Sequence, residues 1–324
     1  MPYKDNKKES SAPDRSFVNI KRVCLLLALI LIVVLSFVFG KLSTNNDVLV
    51  EGLASAENNV AWADDGNYTG IGMLIWPNGG VYSGDIVDGV ANGNGRVTLA
   101  TGDVYEGDFV DDSATGKGTM AYTDGDVYEG DFVDGMRIGK GAYTWTNGNV
   151  YEGDFIEDNI SGMGTLTYAN GDVYEGDFVD GLFNGKGTLT NSDGDVYEGD
   201  FVDGLFNGKG TLTNADGYGY EGDWEDGTPT GKGIMTFADG SVYEGDFVDS
   251  KFDGRGIMTF PDGGVYEGDF AEDLFNGKGT LTFPGGNMYE GDFADGLYNG
   301  RGTYTYSDGR VREGTWVNGE FMGE

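Results

Sequence analysis

Histidine is absent from this chain of 324 residues, cysteine occurs once and proline six times. Without histidine there is no imidazole for acid-base work, no Ser-His or Cys-His nucleophile pair and no histidine-bearing zinc site. Cys24 stands alone, so no disulfide staples the chain and its stability must come from packing. Basic residues are scarce too: 20 Lys and Arg face 55 Asp and Glu, for a net charge of −35. Nearly all of that excess lies in residues 82–324, which argues against nucleic acid and anionic lipid as partners of that part. Neither an enzyme nor a cofactor is expected: the acid pairs that remain recur identically along the chain, whereas a glycosidase needs one special pair in a cleft.

Only one long apolar run is present. Residues 23–40 are uncharged and apolar apart from Ser36 and Gly40, which reaches the lower limit for a single transmembrane α-helix. A cleaved signal peptide fits less well, because the run exceeds the usual apolar region and the small-residue site Ala54-Ser55-Ala56 lies too far downstream. Six basic residues precede the span and only Lys41 follows closely, so the N-terminus is expected in the cytoplasm. The rest of the chain is then extracytoplasmic, in the periplasm if the cell is Gram-negative. Residues 1–22 read as a disordered basic tail and residues 41–58 as a spacer. Cys24 is open to palmitoylation at the cytoplasmic end of the span, although a small apolar residue of a membrane helix is the plainer reading.

What the chain has in abundance is a repeat. YEGDFVDGLFNGKGTLTNSDGDV at 174–196 recurs through 82–324, with its opening Tyr every 23 residues from Tyr82 to Tyr289. Arg312 breaks the series, and residues 59–81 hold a degenerate copy that keeps Gly70, Gly72 and Gly79 and suits a protective cap. A fixed period of this size signals units that bury one another's faces. Inside a copy the apolar period is two, which means strands. Tyr105, Gly107 and Phe109 share one face, and Glu106 and Asp108 share the other. The Asp-Gly that recurs before the next Tyr, as at Asp124-Gly125, Asp193-Gly194 and Asp239-Gly240, reads as a tight hairpin turn, and the DGLFNG segment as a longer, less regular loop. Gly116 and Gly125 are the bend glycines of that copy, while Gly107 and Gly118 leave room on the aromatic face for a ring.

YEG-x-[FW]-x-x-G followed by GKG and a later Gly, at a period of 23, resembles the MORN repeat. The resemblance implies an all-β, elongated, twisted antiparallel sheet of stacked β-hairpins, here preceded by one membrane helix. It also implies tethering, self-association and contact with membranes, the last of which the acidic charge of the array opposes. Asp112, Asp158, Ser250 and Asp273 replace the glycine after the first strand, leaving the loop shape open there.

Two sets of residues stand out as candidate sites. Glu129, Asp131, Glu152 and Asp154 are the nearest thing to a cation site, but equivalent carboxylates lie two strands apart, roughly 10 Å, so only diffuse attraction is expected. Phe183, Phe206, Phe252, Phe275, Tyr298 and Phe321 occupy one position that is Ala91, Ala114, Arg137 and Ile160 in earlier copies. Read as a loop row, these rings either cover the aromatic face of the sheet or form a ridge for a partner or a second copy. The expected activity is that of a non-catalytic scaffold or tether for a protein partner or for self-association. The alternatives are an extracytoplasmic module for divalent cations or envelope polymer, and a lipid-contacting module.

Overall fold

The protein is represented by a computed structural model that describes residues 67–324 and, before them, a two-residue strand, β1 (Ala61–Trp62). The expected tail, membrane helix and spacer, and the first residues of the degenerate copy, lie outside the described residues. Among the described residues no helix is long and apolar enough to cross a membrane.

After β1 come 23 strands, from β2 (Gly70–Ile75) to β24 (Glu320–Gly323), and each is antiparallel to the next in the chain. The all-β reading as stacked hairpins therefore holds for the repeats. The unit is clear in β11 (Val173–Val179), β12 (Leu182–Thr190) and the next copy's first strand, β13 (Val196–Val202). Alternation puts Tyr174, Gly176 and Phe178 inward on one face of β11, whereas Glu175 and Val179 on the other are exposed.

The two connections differ from the sequence reading. DGLFNG is not a long loop. Asp180 and Gly181 alone form the turn, with φ of 48° and 80°, and Val179 pairs directly with Leu182. Two successive positive φ values define a type I′ turn, whose twist matches that of the strands it joins. Phe183 consequently stands in β12, opposite Phe178. Asp112, Asp158, Ser250 and Asp273 keep the same turn, with φ between 65° and 69°. Three of them repay the strain locally: the Asp112, Asp158 and Asp273 carboxylates accept the N–H of Ala91, Arg137 and Phe252 in the preceding copy. Ser250 faces Pro229, which has no N–H to donate, so an acid would have no such bond to make there.

The connection before the next Tyr, where Asp-Gly recurs, is the longer one. Gly194 donates its N–H to Asn191 O and Asn191 donates its own to Asp195 O, with only Gly194 of that turn at positive φ, 89°. Asn191 stands where other copies carry a ring because its side chain holds this turn, accepting the N–H groups of Asp193 and Asp195.

A β-bulge lies in every full hairpin. Between β11 and β12 the register runs Gly176 to Gly187 and then jumps to Asp177 with Asn184. The repeat supplies both partners that this break requires. Tyr174 donates its hydroxyl to Asp177 O at 2.9 Å, and the Asp177 carboxylate accepts the Lys186 N–H at 3.2 Å.

The core is a single layer of rings. Tyr174 lies edge-on to Phe178 of its own copy and to Phe201 of the next, both at 5.1 Å, and the same alternation runs from Tyr82 to Trp316. None of the ten repeat tyrosines is more than 1% exposed. A ring can lie that close to the sheet only over missing side chains, since a Cβ on Gly187 would sit 2.5 Å from the Tyr174 ring. That is the ring-over-glycine packing expected of the sequence, with the glycine drawn from the same hairpin.

Candidate functional site

The repeat residues Tyr105, Gly107, Phe109, Gly116, Gly118 and Gly125 are all spent on this architecture. Gly116 and Gly125 are at positive φ, 61° and 97°, and a Cβ on Gly118 would meet the Tyr105 ring at 2.4 Å. Burial, with the Asp108 charge behind it, pushes the Tyr105 phenol up to about 12.

The expected loop row is a row of lids. Phe183, Phe206, Phe252, Phe275 and Tyr298 stack flat on Tyr174, Tyr197, Tyr243, Tyr266 and Tyr289, with centroids 3.7 to 3.8 Å apart. Phe321 instead meets Trp316 at 5.1 Å, because the tyrosine of that copy is Arg312. Phe252 is buried, 7% exposed, and the other five are half-buried. At Arg137 the lid is a guanidinium, 5.6 Å from the Tyr128 centroid and 5.5 Å from that of Phe155, donating from Nε to the Asp158 carboxylate and from Nη2 to the Asp158 carbonyl. The ring face is thus covered from within the chain.

The other face carries charge in bands. Nearest the I′ turns are exposed aliphatics such as Val179 (52%) and Leu182 (48%). Next come ion pairs across neighbouring strands: Lys117 with Asp131 at 2.7 Å, Lys140 with Asp154 at 2.7 Å, and Lys186 with Asp200 at 2.6 Å. Lys186 holds the Asp200 carboxyl below the usual carboxylate range. Asp131 and Asp154, two of the four cation candidates, are therefore already paired with lysines. The other two, Glu129 and Glu152, belong to the third band, which includes Glu106, Glu175, Glu198, Glu221, Glu244, Glu267 and Glu290. All of these are exposed. Among the described residues the side chain of none of them has a hydrogen bond or ion pair. Nor is any group of three or more Asp, Glu, His or Cys side chains there arranged to hold a metal ion.

Three adjoining grooves follow this glutamate band, meeting at Met163 and Glu175 and again at Arg255 and Glu267. Their floor is mostly Thr and Gly, but Ile234 and Ile257 replace Thr in the middle groove, each 39% exposed. The sequence reading missed this banding. The signal was available: Glu is the recurring charged residue of the YEGDF stretch for which the hairpin has no structural use.

The family model described as MORN repeat matches twelve segments, from residues 64–81 to 313–324. Among solved structures, the TCP10 domain of Danio rerio CPAP in complex with a peptide of Danio rerio STIL is 14% identical, with 75% of this chain and 98% of that one covered at a TM-score of 0.37. The TCP10c domain of Drosophila melanogaster Sas-4 is also 14% identical, with 54% and 91% covered at a TM-score of 0.22. No curated protein matches the chain.

Proposed function

The chain belongs to the MORN repeat family, and from that premise we propose that it is a non-catalytic, membrane-anchored scaffold that holds a protein partner along the polar face of its array. The observation that carries this reading is the glutamate band. The recurring Tyr, Gly, Asp, Phe and Lys of the repeat all serve the hairpin, while the side chain of Glu recurs exposed and unengaged in copy after copy. Covering of the ring face by Phe183 and its equivalents supports the same choice, because it leaves the polar face as the one with unused side chains and exposed aliphatics. Ten of the cations on the described residues are already in ion pairs with the chain's own carboxylates, so the remaining negative charge favours a basic partner.

Anchoring rests on residues 23–40, and the outward orientation on the basic residues that precede them. Protease added to intact cells tests both: the repeats are cut away while a cytoplasmic control survives. Survival of both would place the array inside. The scaffold reading is tested by changing Glu198, Glu221 and Glu244 together to Gln, which leaves every structural bond of the hairpins in place and is expected to abolish capture of the partner without shifting the melting curve.

A further inference from the structure

The run of Lys-Asp pairs along the polar face has one internal gap. From Lys117–Asp131 to Lys278–Asp292 each first-strand Asp is paired with the cation across from it, except at Asp177, where the facing residue of β10 (Asn159–Thr167) is Met163. Ile71 and Asn94 face Asp85 and Asp108 in the same way, but there the run of pairs has not yet begun. One carboxylate oxygen of Asp177 accepts the Lys186 N–H; the other has no partner among the described residues. Lys140 and Lys186 cannot supply the missing charge, because they hold Asp154 and Asp200.

The surroundings of the gap are apolar. Met163 is 51% exposed, and Ile156 (55%), Val179 (52%) and Leu182 (48%) are exposed along the adjoining rim. Met163 also lies where two of the grooves meet. We propose that this gap is the point at which the partner's polypeptide docks, a lysine or arginine of the partner completing the ladder at Asp177 while an adjacent aliphatic residue rests on Met163 and Val179. Charge complementarity names the chemistry: an unpaired carboxylate in an acidic face takes a cation, and the exposed aliphatics favour a cation carried on an apolar segment over a bare polyamine. This rests on the scaffold reading and deepens it by placing the partner's anchor.

The test uses the full chain and two labelled synthetic peptides of equal charge, one alternating arginine with leucine and one with serine in place of leucine, at physiological salt. The leucine peptide is expected to bind at least tenfold more tightly than the serine peptide. Met163→Lys closes the gap with the residue that other copies carry there, so the fold is kept, and it is expected to weaken the leucine peptide about tenfold. Lys186→Met opens a second gap at Asp200 and is expected to tighten it. Equal binding of the two peptides, no binding of either, or no effect of Met163→Lys overturns the proposal. In the last case, loss of binding in the Glu198, Glu221 and Glu244 triple variant leaves the scaffold reading standing, and its retention overturns both.

Discussion

Phe252→Ala removes the most buried of the lid rings, and the account fixes both the size and the sign of the effect. Phe252 is 7% exposed, lies flat on Tyr243 at 3.8 Å and meets Phe247 edge-on at 5.4 Å. Returning such a ring to water costs about 1.5 to 3 kcal/mol, and loss of the stacked pair adds about 0.5 to 1.5. The space left behind opens outward from a one-layer core, so water can enter and little cavity strain is added. About 3 kcal/mol is therefore expected. In an array stabilised between nearest neighbours the loss stays local, and amide exchange in β17 (Val242–Val248) and β18 (Lys251–Thr259) should quicken by about two orders of magnitude. Ala114→Phe supplies the opposite sign: Ala114 is the half-buried lid position over Tyr105, and a ring there is expected to slow exchange in its own copy. Light scattering should show the mass unchanged in both variants. Unchanged exchange in Phe252→Ala, or a dimer that falls to a monomer, would refute the covering role.

Gly187→Ala sets a Cβ 2.5 Å from the Tyr174 ring, and the overpacking should cost about 3 kcal/mol, whereas Gly285→Ala, with nothing within 4 Å, should leave a urea melt nearly unmoved. Arg137→Lys gives up a planar lid and its fork to Asp158, for an expected loss of about 1 to 2 kcal/mol on the same assay. Alkaline unfolding should be steep. Burial raises the repeat phenols from 10.0, that of Tyr174 to about 12, so their contribution is complete below pH 10 and is lost as pH rises towards 12. A circular-dichroism titration that stays flat through that window would contradict this.

The sequence shows the faces of the sheet because alternation is a backbone property: Tyr105 and Phe109 on one side, Glu106 and Asp108 on the other, follow from strand geometry alone. It also shows where rings meet glycine, as at Gly118 beneath Tyr105, since a missing Cβ on a ring face has few other uses. The I′ turn was harder to see because each copy can hold two Asp-Gly pairs, and only one of them is a two-residue turn. Val179 and Leu182 flanking Asp180-Gly181 were the available signal, being apolar residues set directly on either side of the pair. Once that turn is two residues long, Phe183 must lie in a strand over the tyrosine layer. The bulge, whose extra residues Gly185 and Lys186 lie in β12, was legible only as a bend glycine at that position, because its register is held by the bonds that Tyr174 and Asp177 make. The bands of the polar face became visible only after the hairpin had accounted for the Asp and Lys of its motif.

The central claim is that the polar face, and not the ring face, meets a polypeptide. It is tested most directly by placing a photo-crosslinking amino acid in the full chain, on intact cells, at Thr188 or Thr211 beside the glutamate band, and in separate variants at Phe183 or Tyr298 on the ring face. The account predicts one polypeptide adduct of constant mass from both threonine positions and none from the two lids. Adducts from the lids alone, or lipid adducts alone from the threonines, would contradict it.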